Sequence, residues 1–260
     1  MKWWEEEIKS IKNDNINGAS FLTKKSIDII KNMVLKKENI DEIYKALNLL
    51  EKVQPYMASI YNFAKSIKSK NHENIFRECD NFLLKIQNEE KEIIDKSIEI
   101  FNDNKIFMTH SFSSLVYKVF LEAKKRGKNF KVICTKSEPK NEGIKLAQNL
   151  CENGIETELI IDAAACYFIE KIDCVLLGAD GVGGFGLIHK IGTIPIALTA
   201  KEKNKKVFSL APKYKFWPND FVIPPQEFKD PNEVAKKSCY KIKNLYFDIT
   251  PLENIQFITN

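Results

Sequence analysis

The side chains able to do chemistry in this 260-residue chain gather where short apolar runs end. Thr109-His110-Ser111 closes KIFMT, and Thr135 to Pro139 follows FKVIC. Asp162-Ala163-Ala164 follows ETELII, and the glycine-rich GADGVGGFGLIHKIGT (178–193) follows DCVLL. Asp180 is a carboxylate at a strand end beside glycine-rich backbone, which suits general acid–base work. His110, His189, Lys190 and Thr193 add proton carriers and a cation. A strand that turns into a helix also offers unpaired backbone N–H groups to an anion. Proton transfer on a small anionic molecule is therefore the chemistry these residues would do. Each also has a plainer reading: Ser111 or Ser113 as a helix cap, His110 as a structural histidine, Asp162 as the N-cap of AAACYF, and the glycines as a tight loop. The glycine spacing does not match the dinucleotide fingerprint.

The elements that must position these residues follow from rhythm. Over residues 1–103 apolar residues recur at three and four, along WWEEEIKSIK, SFLTKKSIDIIKNMVL, IYKALNLLEKV and a long pattern from His72 to Asp103. Gly18 and Pro55 are the main breakers, so about five helices are predicted. From Lys105 the rhythm changes. Short apolar runs at 105–109, 130–135, 156–162, 173–180 and 205–211 alternate with the helical stretches SSLVYKVFLEAKKR, NEGIKLAQNLCENG, AACYFIEK and TIPIALTAKEKN. This alternation predicts βαβ units and a mostly parallel sheet covered on both faces. Gly127 and Gly154 stand where left-handed helix C-caps are expected. The fold class is α/β, with a helical N-terminal domain (1–103) and an α/β domain (104–260). The strand ends then face one crevice.

Composition narrows the rest. Hydrophobic residues make up 44% and charged residues 29%, as in a globular protein. No run approaches the ~18 apolar residues of a membrane span, and MKWWEEEIKS lacks the basic start and apolar core of a signal peptide. A cytoplasmic location without membrane attachment is expected. The six cysteines show no C-x-x-C spacing, so reduced, mostly buried thiols and no metal site are expected. The net charge of +5 is nearly all lysine, with Arg77 and Arg126 the only arginines. Lysines interspersed with acids read as a solvated surface, and direct nucleic-acid binding is not expected.

Six pieces, in order, resemble the family joining the alpha, beta and delta subunits of translation initiation factor 2B to the aldose-phosphate isomerases. They are NINGASFLTKKSIDII (15–30), QPYMASIYNF (54–63), MTHS (108–111), SEPKNEGIKLAQNL (137–150), GAD with HKIGT (178–180 and 189–193), and YFDITPLENIQFIT (246–259). The resemblance implies a Rossmann-like second domain, no cofactor, oligomerisation through the C-terminal domain, and ligand contacts at Gly18, Ala19, His110, Ser111, Asp180, His189 and Lys190. In the isomerases, acting on methylthioribose 1-phosphate or ribose 1,5-bisphosphate, a cysteine and an aspartate form the acid–base pair. Asp180 matches the aspartate, but Ser111 occupies the cysteine position, and a hydroxyl is far less acidic than a thiol. The family's phosphate-site arginines fall on Glu138 and Gln54, and its Asn-Lys asparagine on His189. Lysines such as Lys136 replace bidentate arginine clamping imperfectly. These departures favour a non-catalytic, regulatory subunit-like protein with initiation factor 2 subunits as candidate partners, and with Ser111 capping a helix at a vacated position. The crevice would keep a vestigial site for a sugar phosphate or nucleoside monophosphate. An isomerase using Asp180 with His110 or His189, and a small-molecule sensor, are the rival readings.

Overall fold

The computed structural model describes residues 2–69, 74–102, 104–236 and 239–260. Five helices come first: α1 (Trp3–Asn13), α2 (Ala19–Leu35), α3 (Ile40–Val53), α4 (Ala58–Lys68) and α5 (Ile75–Ser97). Each has one apolar stripe, and the stripes meet in a core that includes Trp4, Leu22, Ile30, Met33, Leu47, Phe63 and Phe82. Asn39 caps α3 by accepting from the Asp41 amide at 2.9 Å. Gly18 is the N-cap of α2 and offers no side chain.

Six strands then build one parallel sheet, in the order β3-β2-β1-β4-β7-β9. They are β1 (Lys105–Thr109), β2 (Phe130–Thr135), β3 (Glu156–Ile160), β4 (Cys174–Leu177), β7 (Lys206–Leu210) and β9 (Gln256–Ile258). Alternate side chains serve opposite faces. Phe107, Val132 and Cys134 pack under α6 (Ser114–Lys125) and α7 (Glu142–Glu152). Met108, Ile133, Val175 and Leu177 pack under α8 (Ala165–Phe168) and α9 (Thr193–Glu202). The predicted C-caps Gly127 and Gly154 have φ of +75° and +70°.

The chain order reverses between β1 and β4, so their carboxyl ends flank the switch point where such sheets bind ligands. The glycine-rich segment is not the loop expected of it. It forms a hairpin of β5 (Gly181–Gly183) and β6 (Gly186–Lys190), extended by β8 (Phe247–Thr250) into a small antiparallel sheet. Glycine is needed here by close packing: a β-carbon at Gly181 would collide with the Trp217 indole nitrogen, and one at Gly186 would lie 2.6 Å from the Thr250 carbonyl.

The predicted division at residue 103 lies outside the described residues. The end of α5 packs into the second core, where Phe101 stacks on Phe107 with ring centroids 4.5 Å apart. A helical region 1–103 and an α/β region 104–260 remain our proposal for the chain's organisation. Among the described residues no helix is long and apolar enough to cross a membrane.

Candidate functional site

The corner after β1 sets the site. Ser111 has φ +68°, a left-handed conformation that costs a non-glycine residue strain and turns the chain sharply into α6. Ser113, not Ser111, is the N-cap: its hydroxyl accepts from the Val116 amide at 3.4 Å. The reading of Ser111 as a helix cap is therefore corrected. Its hydroxyl instead donates to Glu142 Oε1 at 2.8 Å, and its amide donates to Ser137 Oγ at 2.8 Å. The end of β4 passes this corner only because residue 178 is glycine, since a β-carbon there would sit 2.5 Å from Ser113 Oγ.

His110 is buried and fully engaged. Its Nε2 lies 2.8 Å from the Ile191 carbonyl and its Nδ1 2.6 Å from Thr135 Oγ1. A carbonyl only accepts, so Nε2 carries the proton and Nδ1 accepts from the Thr135 hydroxyl. Burial, the largest cause, lowers the pKa of His110 and keeps it neutral. Ser137 Oγ lies 3.1 Å from Thr135 Oγ1, which links the Ser111 amide to the imidazole through two hydroxyls. Asp162 is not the expected N-cap. Its carboxylate accepts from the Ser137 and Glu138 amides, both at 2.7 Å.

Across the switch point, Asp180 is held through its backbone. Its amide donates to the Ile188 carbonyl and its carbonyl accepts from the Ala58 amide at the start of α4, each at 3.0 Å. The residue as a whole is half-buried. The protein packed around the carboxyl pushes its pKa up to about 6, against the opposing pull of Lys215 and then Lys190. His189 is buried in β6, with Nδ1 2.9 Å from Thr193 Oγ1. Thr193 donates to the Lys190 carbonyl at 2.6 Å, so His189 Nδ1 is the donor and Nε2 is left as an acceptor. Burial, the largest cause, drives its pKa well below the usual value, and a proton on His110, whose ring centroid is 6.3 Å away, would lower it further.

Lys190 forms an ion pair with Glu142 Oε1 at 2.8 Å, so Glu142 holds Ser111 and Lys190 together. Glu142 Oε2 has no hydrogen-bond partner among the described residues. Gly18 brings the start of α2 against the same corner: a β-carbon there would lie 3.8 Å from the Phe112 carbonyl. The anion-binding start of α9 is already taken, because Asp248 Oδ2 accepts from the Gly192 and Ile194 amides at 2.8 and 3.0 Å. Lys136 pairs with Glu138 at 2.7 Å on the protein surface.

The structure thus brings His110, Ser111, His189, Lys190 and the Gly18 helix start to the carboxyl ends of β1 and β4, with Asp180 near enough to Lys190 and Glu142 to feel their charge. Glu142, Lys215 and Asp248 belong there too and were not singled out from the sequence. Glu142 and Asp248 each carried a signal, in SEPKNEGIKL and YFDIT; Lys215 stood unremarked in the aromatic run KYKFW. No cluster of three metal-ligating side chains occurs among the described residues. The buried thiols of Cys134 and Cys174 are pushed up to about 12 by burial, so neither supplies a thiolate.

Three comparisons bear on identity. An eIF-2B subunit 2-like translation initiation factor of Pyrococcus furiosus is 31% identical over 259 residues, covering 96% of this chain and 92% of the relative. A ribose 1,5-bisphosphate isomerase of Methanocaldococcus jannaschii is 33% identical over 272 residues, covering 98% and 88%. The crystal structure of a Pyrococcus horikoshii translation initiation factor eIF-2B superposes with a TM-score of 0.88 at 31% identity, covering all of this chain and 95% of that one. Both branches of the resemblance therefore lie at similar distance, and identity alone does not choose between them. The model of the initiation factor 2 subunit family matches residues 16–260, and the chain belongs to that family.

Proposed function

We propose that the chain is a regulatory, non-catalytic member of its family that works through protein association, with a residual small-ligand crevice. The observation that carries this is the closed arrangement of Ser111, Glu142 and Lys190, in which the hydroxyl and the ammonium are both held by one carboxylate at 2.8 Å. The residue in the thiol position is neither acidic nor free, and the crevice cation is neutralised. Other phosphate-binding capacity is spent in the same way: Asp248 occupies the start of α9 and Asp162 the amides of residues 137 and 138. Arg126 pairs with Glu122 and Asp95, away from these residues. Association with a second copy or a related subunit is supported by exposed apolar side chains on the α/β region, at Leu159, Ile161, Tyr167 and Leu198.

The test is turnover. Purified protein is incubated with ribose 1,5-bisphosphate and, separately, with methylthioribose 1-phosphate, and ketose formation is followed by NMR. No product, with a defined oligomer by light scattering and capture of purified initiation factor 2 subunits, is the expected result. A specific observation favours the rival isomerase reading: Asp180 titrates near 6, suited to a general acid–base group at neutral pH. Turnover that Asp180→Asn abolishes would establish that reading in place of ours.

A further inference from the structure

The Ser111, Glu142 and Lys190 arrangement that carries the proposed function makes no use of the buried ammonium of Lys215. Lys215, in the short 3-10 turn Lys213–Lys215 after β7, is 4% exposed. Its ammonium donates to the Ala179 carbonyl at 2.7 Å, the peptide group that leads into Asp180. No carboxylate lies within ion-pair distance of it among the described residues, although an ammonium has three donors to spend. A buried cation without a direct partner is costly unless nearby negative charge balances it. The carboxylates whose field it feels are Asp180 in the crevice and Glu90 on α5.

The turn is anchored from the helical region. Glu89 Oε2 accepts from the Tyr214 amide and Glu90 Oε1 from the Tyr214 hydroxyl, both at 3.1 Å. Asn62 of α4 donates to the Tyr214 and Phe216 carbonyls at 2.9 and 2.8 Å. Lys118 on α6 neutralises much of Glu90 through a 2.6 Å ion pair. Asp180 is thus the carboxylate left to balance Lys215. Around Asp180 the other charged groups are Lys190 on β6 and Glu142 on α7, and these two are paired with each other. His189 beside Lys190 is neutral, and from α4 the Ala58 amide donates to the Asp180 carbonyl.

We propose that Lys215 is the positioning residue that sets the charge state of Asp180, and that the α4 and α5 helices hold it in place to do so. The helical region then contributes to the electrostatics of the crevice without lining it. The inference rests on Asp180 belonging to the proposed site, but its readout needs no ligand and no turnover, so it stands or falls apart from the turnover test.

The experiment is a carboxyl 13C NMR titration of protein labelled at aspartate Cγ, with the Asp180 signal assigned by Asp180→Asn. Lys215→Gln should raise the Asp180 midpoint by about one pH unit or more, a tenfold change in proton affinity. Lys215→Arg, which keeps the charge, should restore most of it. In the wild type the Lys215 Nζ resonance should step at the Asp180 midpoint, and Asp180→Asn should remove that step. This second arm decides the matter even where Lys215→Gln fails to fold. An unmoved Asp180 midpoint in Lys215→Gln, an arginine variant that behaves like glutamine, or a flat Lys215 signal would each overturn the proposal.

Discussion

The two walls of the crevice treat their polar groups in opposite ways. On the β1–β2 side most links are closed, Glu142 Oε2 being the exception: His110 to Ile191 and Thr135, Ser137 to the Ser111 amide, and Ser111 and Lys190 to Glu142 Oε1. On the β4–β6 side capacity is left over. Asp180 has a carboxyl with a raised pKa, His189 an unspent acceptor, and Lys215 an ammonium with one protein acceptor. Buried hydrogen bonds that are fully made fix architecture, and removing one partner costs the desolvation of the other. The closed wall should answer to mutation chiefly in stability, and the open wall chiefly in titration and ligand response.

The largest effect expected on the closed wall is steric. Gly143 opens α7 directly against β2, and a β-carbon there would overlap the Thr135 carbonyl oxygen. Backbone oxygen cannot move aside as a side chain would. Gly143→Ala should cost at least about 3 kcal/mol, or roughly 6 °C or more in melting temperature for a chain of this size. A loss below about 1 kcal/mol in a denaturant titration would mean that α7 can slide, and that the closed wall is softer than its contacts indicate.

Next comes Asp248, which closes the start of α9 from a neighbouring strand. Asp248→Ala leaves two amides without their acceptor and should cost about 1–3 kcal/mol. Asp248→Asn keeps an oxygen in place. Because burial, the largest cause, already pushes this carboxyl up to about 6, the asparagine should stay close to the wild type. A smaller loss, about 1–2 kcal/mol, is expected for Thr135→Val. That change keeps the shape but strands the His110 Nδ1 acceptor and one contact of Ser137. Equal stability of the valine variant would show that the hydroxyl chain contributes little to the wall.

Much of the closed wall's scaffold was legible in the sequence, and its wiring was not. KIFMT and FKVICT are β1 and β2 residue for residue, because strands buried on both faces read as unbroken apolar runs between polar helix surfaces. The hairpin at 181–190 was missed because glycine carries no strand signal; it is required there by packing against Trp217 and Thr250 and, at Gly186, also by a φ of +135°. Ser111 was misread for a local reason. Which serine caps α6 depends on where the left-handed residue falls, and nothing in MTHSFSS marks it. Glu142, Lys215 and Asp248 act through partners 31, 36 and 56 residues away, at a range that periodicity does not reach. The alternating rhythm supplied the strand ends, and the resemblance supplied the ligand-contact residues among them. The geometry supplied their pairing.

The finest test separates the walls by pH. The Asp180 pKa is about 6 in the folded chain and near 3.9 when unfolded, so the fold binds its proton more tightly. Stability from this group is therefore greatest in acid and falls as pH rises through about 6, the reverse of a salt-bridged aspartate. Asp180→Asn mimics the protonated form and should stabilise the protein at pH 7.5. Two pKa units set a ceiling near ~3 kcal/mol, and the partial exposure of the residue brings the expected gain to about 1 kcal/mol. The gain should vanish by about pH 4. His110 and His189 act in the opposite sense: both are held neutral by burial, so the fold loses stability as pH falls below about 6.5, where the unfolded histidines charge. In the wild type Asp180 offsets part of that loss between pH 6 and 4. Asp180→Asn removes the offset, so its melting temperature should fall more steeply with acid over that window. Parallel pH–stability curves for the two proteins would mean that the Asp180 carboxyl titrates as a solvated group, and the contrast between an open and a closed wall would then fail.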